Sequence, residues 1–265
     1  MAQLCHMNSH KVPCLKILAL VPFPDVQSGD DLGKIIAAVL KRSSLHLEPH
    51  DVLVVAQKII SKAEGRRVRL DTIVPSSRAV DLAATSAKDP RLVELILRES
   101  NHVVREGHGA IIVEHRNGYV LANAGIDQSN VCQGDVDDEA LLLPIDPDRS
   151  AALLRAEIFD RTGVKPAIVI NDSWGRAWRR GVIGTAIGIA GIDAVADLRG
   201  RLDLNGRPLK ATEVAVADEL AAAASLLMGQ ANEGRPVVLV RGLALPDSSA
   251  DSRGLLRPRD EDLFR

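Results

Sequence analysis

The stretch after the apolar run 167–170 carries residue types suited to binding a metal ion and phosphate. Asp172 and Ser173 lie side by side just beyond this run. A carboxylate beside a hydroxyl can bind a hard cation through oxygen, and arginines suit phosphate oxygens. The arginines that follow within eight residues are Arg176, Arg179 and Arg180. A turn or a helix N-cap explains the same polar residues, so this stretch alone leaves both interpretations open.

A second polar loop offers another carboxylate. Asp127 follows a predicted hairpin over 109–122, whose turn is Asn117-Gly118, a strong short hairpin signal. Mg²⁺ and Mn²⁺ typically bind one or two carboxylates together with substrate phosphates, so Asp127 and Asp172 suit one shared divalent ion. The alternative is a turn rich in Asx residues.

The segment after the apolar run 51–56 adds candidates for phosphate contacts. Ser61 offers a hydroxyl donor and Lys62 a point charge. Lys58 and Lys62 are four residues apart, and on its own this spacing favours one solvated helical face.

The amino-acid composition excludes some classes of function. The chain has 265 residues, of which 46% are hydrophobic and 2% aromatic, and its net charge is −2. These values indicate a globular protein and argue against a general binder of nucleic acid or membrane surfaces. There is no apolar run of about 18 residues, so we expect no membrane span. The cysteines, Cys5, Cys14 and Cys132, lack CxxC spacing, which favours a reducing cytoplasm.

The elements that must position these residues alternate irregularly. The predicted strands cover 15–21, 51–56, 167–170 and 237–242, and the predicted helices cover 78–87, 89–100, 149–162 and 213–228. Asp30 is a plausible cap for a helix that starts near residue 32. Hairpins beside crossovers predict an α+β fold with mixed β-sheets and flanking helices. We expect a disordered leader over 1–14, one domain over 15–245 and a mobile tail over 246–265.

The glycine-rich run 181–192 is not a nucleotide fingerprint, because neither GxGxxG nor GxxxxGK[ST] is present. Its small and β-branched residues indicate a strand packed closely against another backbone, with a subunit contact as one possibility. A nucleotide would therefore need an unusual site.

Six segments, in order, resemble the coenzyme F420-0:γ-L-glutamate ligase family. The likeness covers roughly residues 15 to 245, and it is the set in order, rather than any one piece, that is specific. The segments are SGDDL (28–32), KIISKAEGR (58–66), ANAGIDQSN (122–130), NDSWGR (171–176) with Trp178 and Arg179, TEVAVADE (212–219) and MGQA (228–231).

The resemblance implies a GTP- and divalent-metal-dependent ligase that joins L-glutamate to F420-0, in some relatives several times through γ-linkages. The implied course is phosphorylation of the acceptor carboxylate to an acyl phosphate, which the glutamate amine then attacks. The implied ions are Mg²⁺ or Mn²⁺, with K⁺ as a further candidate. Relatives form intertwined homodimers, and we expect the same here, without the C-terminal flavin-binding domain that some relatives carry.

Site residues are carried over position by position. The implied metal ligands are Asp127, Asp172, Ser173, which keeps the hydroxyl of the threonine in many relatives, and Gln230. The implied nucleotide-binding positions are Phe23, Pro24, Asp25, Val26, Gln57, Lys62, Asn130, Met228, Gly229, Gln230, Ala231, Asn232, Glu233, Gly234 and Arg235. Lys62 and Arg176 are the catalytic candidates, and a phosphate or substrate-carboxylate contact by Arg176, Arg179 and Arg180 is our own hypothesis.

Two alternatives stay open at this stage. One is a non-catalytic protein of the same fold that binds a nucleotide or metal, and the other is an amide ligase that acts on another carboxylic acid. Both carboxylates, Asp127 and Asp172, are present together with Lys62, which favours an enzyme. GTP hydrolysis that depends on F420-0 and L-glutamate would separate the three readings.

Overall fold

A computed structural model describes residues 13–128 and 138–263. The predicted leader lies outside the described residues apart from Pro13 and Cys14, and so do Asn130 and Cys132. In these ranges the strands are Lys16–Ala19 (β1), Val52–Ala56 (β2), Arg67–Arg69 (β3), Ser100–Gly107 (β4), Ala110–His115 (β5), Val120–Ala122 (β6), Glu139–Leu141 (β7), Ala167–Arg176 (β8), Arg179–Ala190 (β9), Ala196–Asp197 (β10), Glu213–Val214 (β11) and Val237–Arg241 (β12).

The α-helices of the described ranges have between 7 and 16 residues. They are Leu32–Arg42 (α1), Gln57–Ala63 (α2), Ser77–Ser86 (α3), Pro90–Arg98 (α4), Pro147–Thr162 (α5) and Val216–Met228 (α6). Among the described residues, none of these helices is both long and apolar enough to cross a bilayer. The predicted caps at Asp89 and Gly163 are confirmed: Asp89 accepts from the N–H of Arg91, and Gly163 is left-handed.

The largest sheet has five strands in the order β1-β12-β2-β8-β9. β2 and β8 run parallel, whereas the other three neighbouring pairs are antiparallel. Because side chains alternate along a strand, Leu53 and Val55 pack on the face covered by α1 and α5, and Val52 and Val54 pack on the face covered by α6. Mixed sheets with flanking helices confirm the α+β class, while the intertwined homodimer stays a prediction.

A smaller sheet, β4-β5-β6, packs against α3 and α4 through a separate apolar cluster that includes Ile96, Ile111 and Val113. The predicted hairpin turn is confirmed between β5 and β6. Gly118 donates its N–H to the His115 carbonyl at 2.8 Å and has a φ of 93°, which glycine adopts without strain.

Three of the differences from the predicted boundaries have a clear cause in strand pairing or helix capping. The strand predicted to end at Ile170 continues to Arg176, because β9 pairs with β8 along its whole length past a bulge at Ile170 and Asn171. The helix predicted from Glu213 begins at Val216, since Glu213 and Val214 pair with β10. The cap of α1 is Asp31, which accepts from Lys34 N–H, whereas Asp30 accepts from Gln27 N–H.

The segment predicted to be a mobile tail makes specific contacts with the domain. Residues Ser252–Leu255 form a short 3₁₀-helix, and Ser252 is buried with its hydroxyl donating to Asp148 at 2.8 Å. Arg259 donates to Glu114 at 2.7 Å. These contacts attach part of the segment after residue 246 to α5 and β5, and the domain boundaries themselves stay predictions.

A buried carboxylate, Glu99, joins the segment after α2 to the smaller sheet. Arg66 lies 3.1 Å from it, Arg116 pairs with its other oxygen, and His115 Nε2 lies 3.7 Å away. Burial raises the pKa of Glu99, but His115, Arg116 and Arg66 outweigh burial and hold that pKa below its ordinary value of 4.5.

The lowered pKa of Glu99 predicts a pH-dependent contribution to stability. Since the folded pKa lies below the unfolded one, the contribution is complete above pH 4.5 and is lost as the pH falls through the folded value. Glu99→Gln should lower the free energy of unfolding by about 3 kcal/mol near neutral pH. In urea unfolding, the difference from the parent should shrink with acid, whereas Asp71→Asn, at an exposed ion pair, should show a much smaller difference throughout. A difference for Glu99→Gln that stays constant into acid would contradict the assignment.

Candidate active site

Four chain segments meet at one edge of the large sheet because of its strand order. β2 ends there at Ala56, opposite Asn171 of the parallel strand β8, which continues beyond this point to Arg176. β12 is antiparallel to β2, so the loop 229–236 that precedes it starts at the same edge. β1 is antiparallel to β12, so the loop 23–26 that follows β1 lies there too. Side chains from segments that are distant in sequence therefore surround a common space.

That space is a cavity of about 410 Å³. The predicted nucleotide-binding residues that the structure describes all line it: Phe23, Pro24, Asp25, Val26, Gln57, Lys62 and the loop from Met228 to Arg235. Asp172 and Ser173 line it as well, whereas Asn130 lies outside the described residues. The structure thus brings these positions together, and their roles stay predictions.

Asp127 reaches the same region through a neighbouring cavity of about 140 Å³. Asp172 and Ser173 line both cavities, so they stand at the junction between the two. The backbone of Asp127 is held by a pair of hydrogen bonds with Leu141, at 3.0 and 2.8 Å. The two predicted metal carboxylates therefore border one cavity, as a shared cation requires.

Lys58, one helical turn before Lys62, forms an ion pair with this acidic junction. Its Nζ lies 2.5 Å from Asp127 Oδ2, and its side chain lines the larger cavity. Lys62 pairs with Asp25 at 3.0 Å and is 14% exposed. The interpretation of Lys58 and Lys62 as a solvated helical face is therefore wrong: α2 starts directly after β2, which turns this face towards the cavity.

Ser61 does not reach the cavity. Its side chain is fully buried, and its hydroxyl donates to Gln57 Oε1 at 2.9 Å. Because Ser61 lies on the inner side of α2, its sequence-predicted phosphate contact is wrong, and its observed role is to hold the buried Gln57 amide.

The carboxylate of Asp172 is partly buried, and its charge is only partly compensated. Burial raises its pKa to about 6, against the hydrogen bonds from Trp174 and Ser173 N–H, which lower it. Asp127 raises the pKa further and Lys58 lowers it. A cation beside Asp172 would stabilise the charged carboxylate that burial disfavours, and it would also offset the smaller repulsion from Asp127.

The loop 229–236 is shaped by its own polar contacts. Glu233 accepts from the N–H of Ala231 at 2.9 Å, and its carboxylate occupies the space that a side chain at Gly229 would fill. Gly229 also has a φ of 73°. The turn after α6 therefore favours glycine for two reasons: the positive φ and the lack of space for a Cβ. Gln230 donates to Ser225 at 3.1 Å through Nε2, which leaves its amide oxygen to serve as an acceptor.

Arg176 and its neighbours Arg179 and Arg180 lie elsewhere. They are exposed at the tip of the β8–β9 hairpin and are not among the residues that line the larger cavity. Their predicted contact with phosphate or substrate carboxylate stays a prediction for these exposed side chains.

The predicted metal ligands suit a hard divalent ion by their chemistry. They are two carboxylates, a hydroxyl and an amide oxygen, all of which are ligands that Mg²⁺ and Mn²⁺ accept. Within residues 13–128 and 138–263 there is no group of three or more His, Cys, Asp or Glu side chains that could hold a metal. An ion at this junction would complete its coordination with water and, when substrate is bound, with phosphate oxygens, as is common for Mg²⁺.

Sequence reasoning missed two residues of the site, Lys58 and Trp174. The signal for Lys58 was its spacing of four from Lys62, which places both side chains on one side of a helix. The signal for Trp174 was its position two residues after Asp172, which places both on one face of a strand.

Comparisons with known proteins show which proteins this chain is similar to. A family model described as F420-0:Gamma-glutamyl ligase matches residues 21–242. The coenzyme F420:L-glutamate ligase of Methanothermobacter thermautotrophicus is 45% identical over 253 residues, which cover 95% of this chain and 99% of the relative. The enzyme of that name from Methanopyrus kandleri is 46% identical over 258 residues, with the same coverage of 95% and 99%. The Methanocaldococcus jannaschii enzyme is 45% identical over 219 residues, covering 83% and 86%.

Proposed function

The chain belongs to the F420-0:gamma-glutamyl ligase family, and from that premise we propose that it adds L-glutamate, through γ-linkage, to coenzyme F420-0. The names of the relatives support the ligase activity. The co-substrate in this proposal is GTP, and the ions are Mg²⁺ or Mn²⁺, with K⁺ as a further one.

The observation that carries the proposal is the junction of the two cavities. Asp172 and Ser173 stand between a larger space lined by Lys62 and the loop 229–236 and a smaller space bordered by Asp127. A reaction that transfers phosphate from a nucleotide to a second molecule needs two such adjoining spaces with cationic groups and hard oxygen ligands near their junction.

In the proposed reaction, an oxygen of the acceptor carboxylate attacks the γ-phosphorus, and GDP leaves with the electron pair of the broken bond. The amine of glutamate then attacks the acyl carbon, inorganic phosphate leaves, and the amine loses a proton. Lys62 would bind phosphate oxygens in place of Asp25, its partner in the structure. Asp127, Asp172, Ser173 and Gln230 would hold the divalent ion, which when bound neutralises phosphate charge.

The direct test is an assay of the purified protein with F420-0, L-glutamate, GTP and Mn²⁺. The proposal expects a product heavier than F420-0 by one or more glutamyl residues, with release of GDP and phosphate that depends on both F420-0 and glutamate. Turnover with a different carboxylic acid but not with F420-0 would contradict this proposal and favour an amide ligase of other specificity. Nucleotide binding without turnover would contradict it and favour a non-catalytic protein.

Lys62→Met should weaken the use of GTP in this assay. Loss of a charge-assisted contact to phosphate corresponds to a rise in the KM for GTP of roughly 10- to 100-fold. The methionine keeps most of the apolar stem, so the packing of α2 should persist. Lys210→Met, which removes an exposed lysine outside the cavity lining, is the matched control and should leave the KM unchanged. Equal KM values for the two variants would exclude Lys62 from the nucleotide site.

A further inference from the structure

The Asp172 carboxylate is held by two hydrogen bonds from its own strand. The indole Nε1–H of Trp174 donates to Oδ2 at 2.8 Å, and the backbone N–H of Ser173 donates to Oδ1 at 2.8 Å. Trp174 reaches this carboxylate because residues two apart on a strand project to the same face. A carboxylate has about four acceptor sites, so each oxygen keeps acceptor capacity for a ligand in the cavities.

The indole of Trp174 is in turn held by the apolar core. Its ring packs against Tyr119, with ring centroids 5.4 Å apart. Tyr119 is 4% exposed, its hydroxyl donates to the Ile187 carbonyl on β9, and His115 stacks on its ring at 5.9 Å. Trp174 therefore cannot turn away from Asp172 without disturbing a buried aromatic stack.

We propose that Trp174 is a positioning residue for the cation site, because its N–H fixes the direction in which Asp172 presents its remaining acceptor sites to the two cavities. The inference rests on the metal role of Asp172 in the proposed function. A single bond from Ser173 N–H would leave the carboxylate free to rotate, whereas the second bond from the indole fixes the plane of the carboxylate. Donors of this kind next to a ligand commonly tune metal affinity.

The test measures binding of Mn²⁺ alone by titration calorimetry, and so does not depend on turnover. Trp174→Phe keeps an aromatic ring against Tyr119 and removes the donor. A second protein carries 3-benzothienylalanine at position 174, which has the shape of tryptophan with sulfur in place of the N–H. The matched control is Trp178→Phe at the hairpin tip, where the side chain is 84% exposed.

Both replacements at position 174 should bind Mn²⁺ about 10- to 100-fold more weakly than the parent, while Trp178→Phe binds it equally well. At saturating Mn²⁺, the turnover number of both replacements should approach that of the parent. The Mn²⁺ concentration that gives half the maximal rate should stay raised. If the benzothienyl protein binds Mn²⁺ as tightly as the parent, the positioning role is overturned, whatever happens to the thermal stability of Trp174→Phe. If the parent itself binds no Mn²⁺, the metal part of the proposed function falls, and this inference with it.

Discussion

Replacing Asp172 with asparagine should lower the rate of glutamate addition to F420-0 by about a hundredfold or more. Asparagine keeps the shape of the side chain and can still accept one hydrogen bond, but it removes the charge at the junction of the two cavities. Asp127 would then be the remaining acidic ligand among the predicted four, and Lys58 is already paired with it at 2.5 Å. The affinity for Mn²⁺ should fall together with the rate.

The measurement combines the mass-spectrometric assay with Mn²⁺ calorimetry on the same preparation. Asp160→Asn, which makes the same chemical change at an exposed position on α5, is the control and should match the parent in both. A variant of Asp172 that retains parental Mn²⁺ affinity and parental rate would remove this carboxylate from the site. A loss of rate with unchanged Mn²⁺ affinity would assign Asp172 to substrate rather than to the ion.

Gly184→Ala should strongly destabilise the protein, because β9 packs closely against α6 at this position. A Cβ at this position would lie 2.4 Å from the Ala221 carbonyl oxygen of α6 and 2.6 Å from Asn171 Oδ1. The first is backbone and the second is a buried amide, so neither can yield as a flexible surface side chain would. We expect a loss of about 2–3 kcal/mol in the free energy of unfolding, and a lower Tm by about 5–10 °C.

Gly175→Ala is the matched control, because it adds the same atom to the same hairpin where no atom lies within 4 Å. Thermal unfolding of the two variants side by side measures the difference. Equal Tm values would show that β9 and α6 can separate enough to admit a methyl group. The glycine-rich run therefore packs against backbone of the same chain: Gly184 lies against Ala221 of α6, and Gly188 lies against Pro147 of α5.

The sequence by itself determined the local structure that physical chemistry encodes over short distances. Apolar runs such as 51–56 and 237–242 specify buried strands, because alternate side chains face two covered sides of a sheet. Asn117-Gly118 specifies a turn, since glycine takes a positive φ without strain. The carboxylates Asp127 and Asp172, each a few residues after an apolar run, marked the site because such residues are costly to bury without a partner or ligand.

Only the tertiary structure decided how these local pieces meet. Strand order places the end of β2, the middle of β8 and the loops next to β1 and β12 at one edge, and no local pattern specifies that order. The tertiary structure also places Lys58 and Lys62, which the sequence predicted on a solvated face, in the wall of the larger cavity. Pairing with β9 extends β8, and within this extension Trp174 donates to Asp172. The physical reason is that pairing between strands and packing of helix faces depend on partners far away in the chain, whereas propensity and spacing report on neighbours alone.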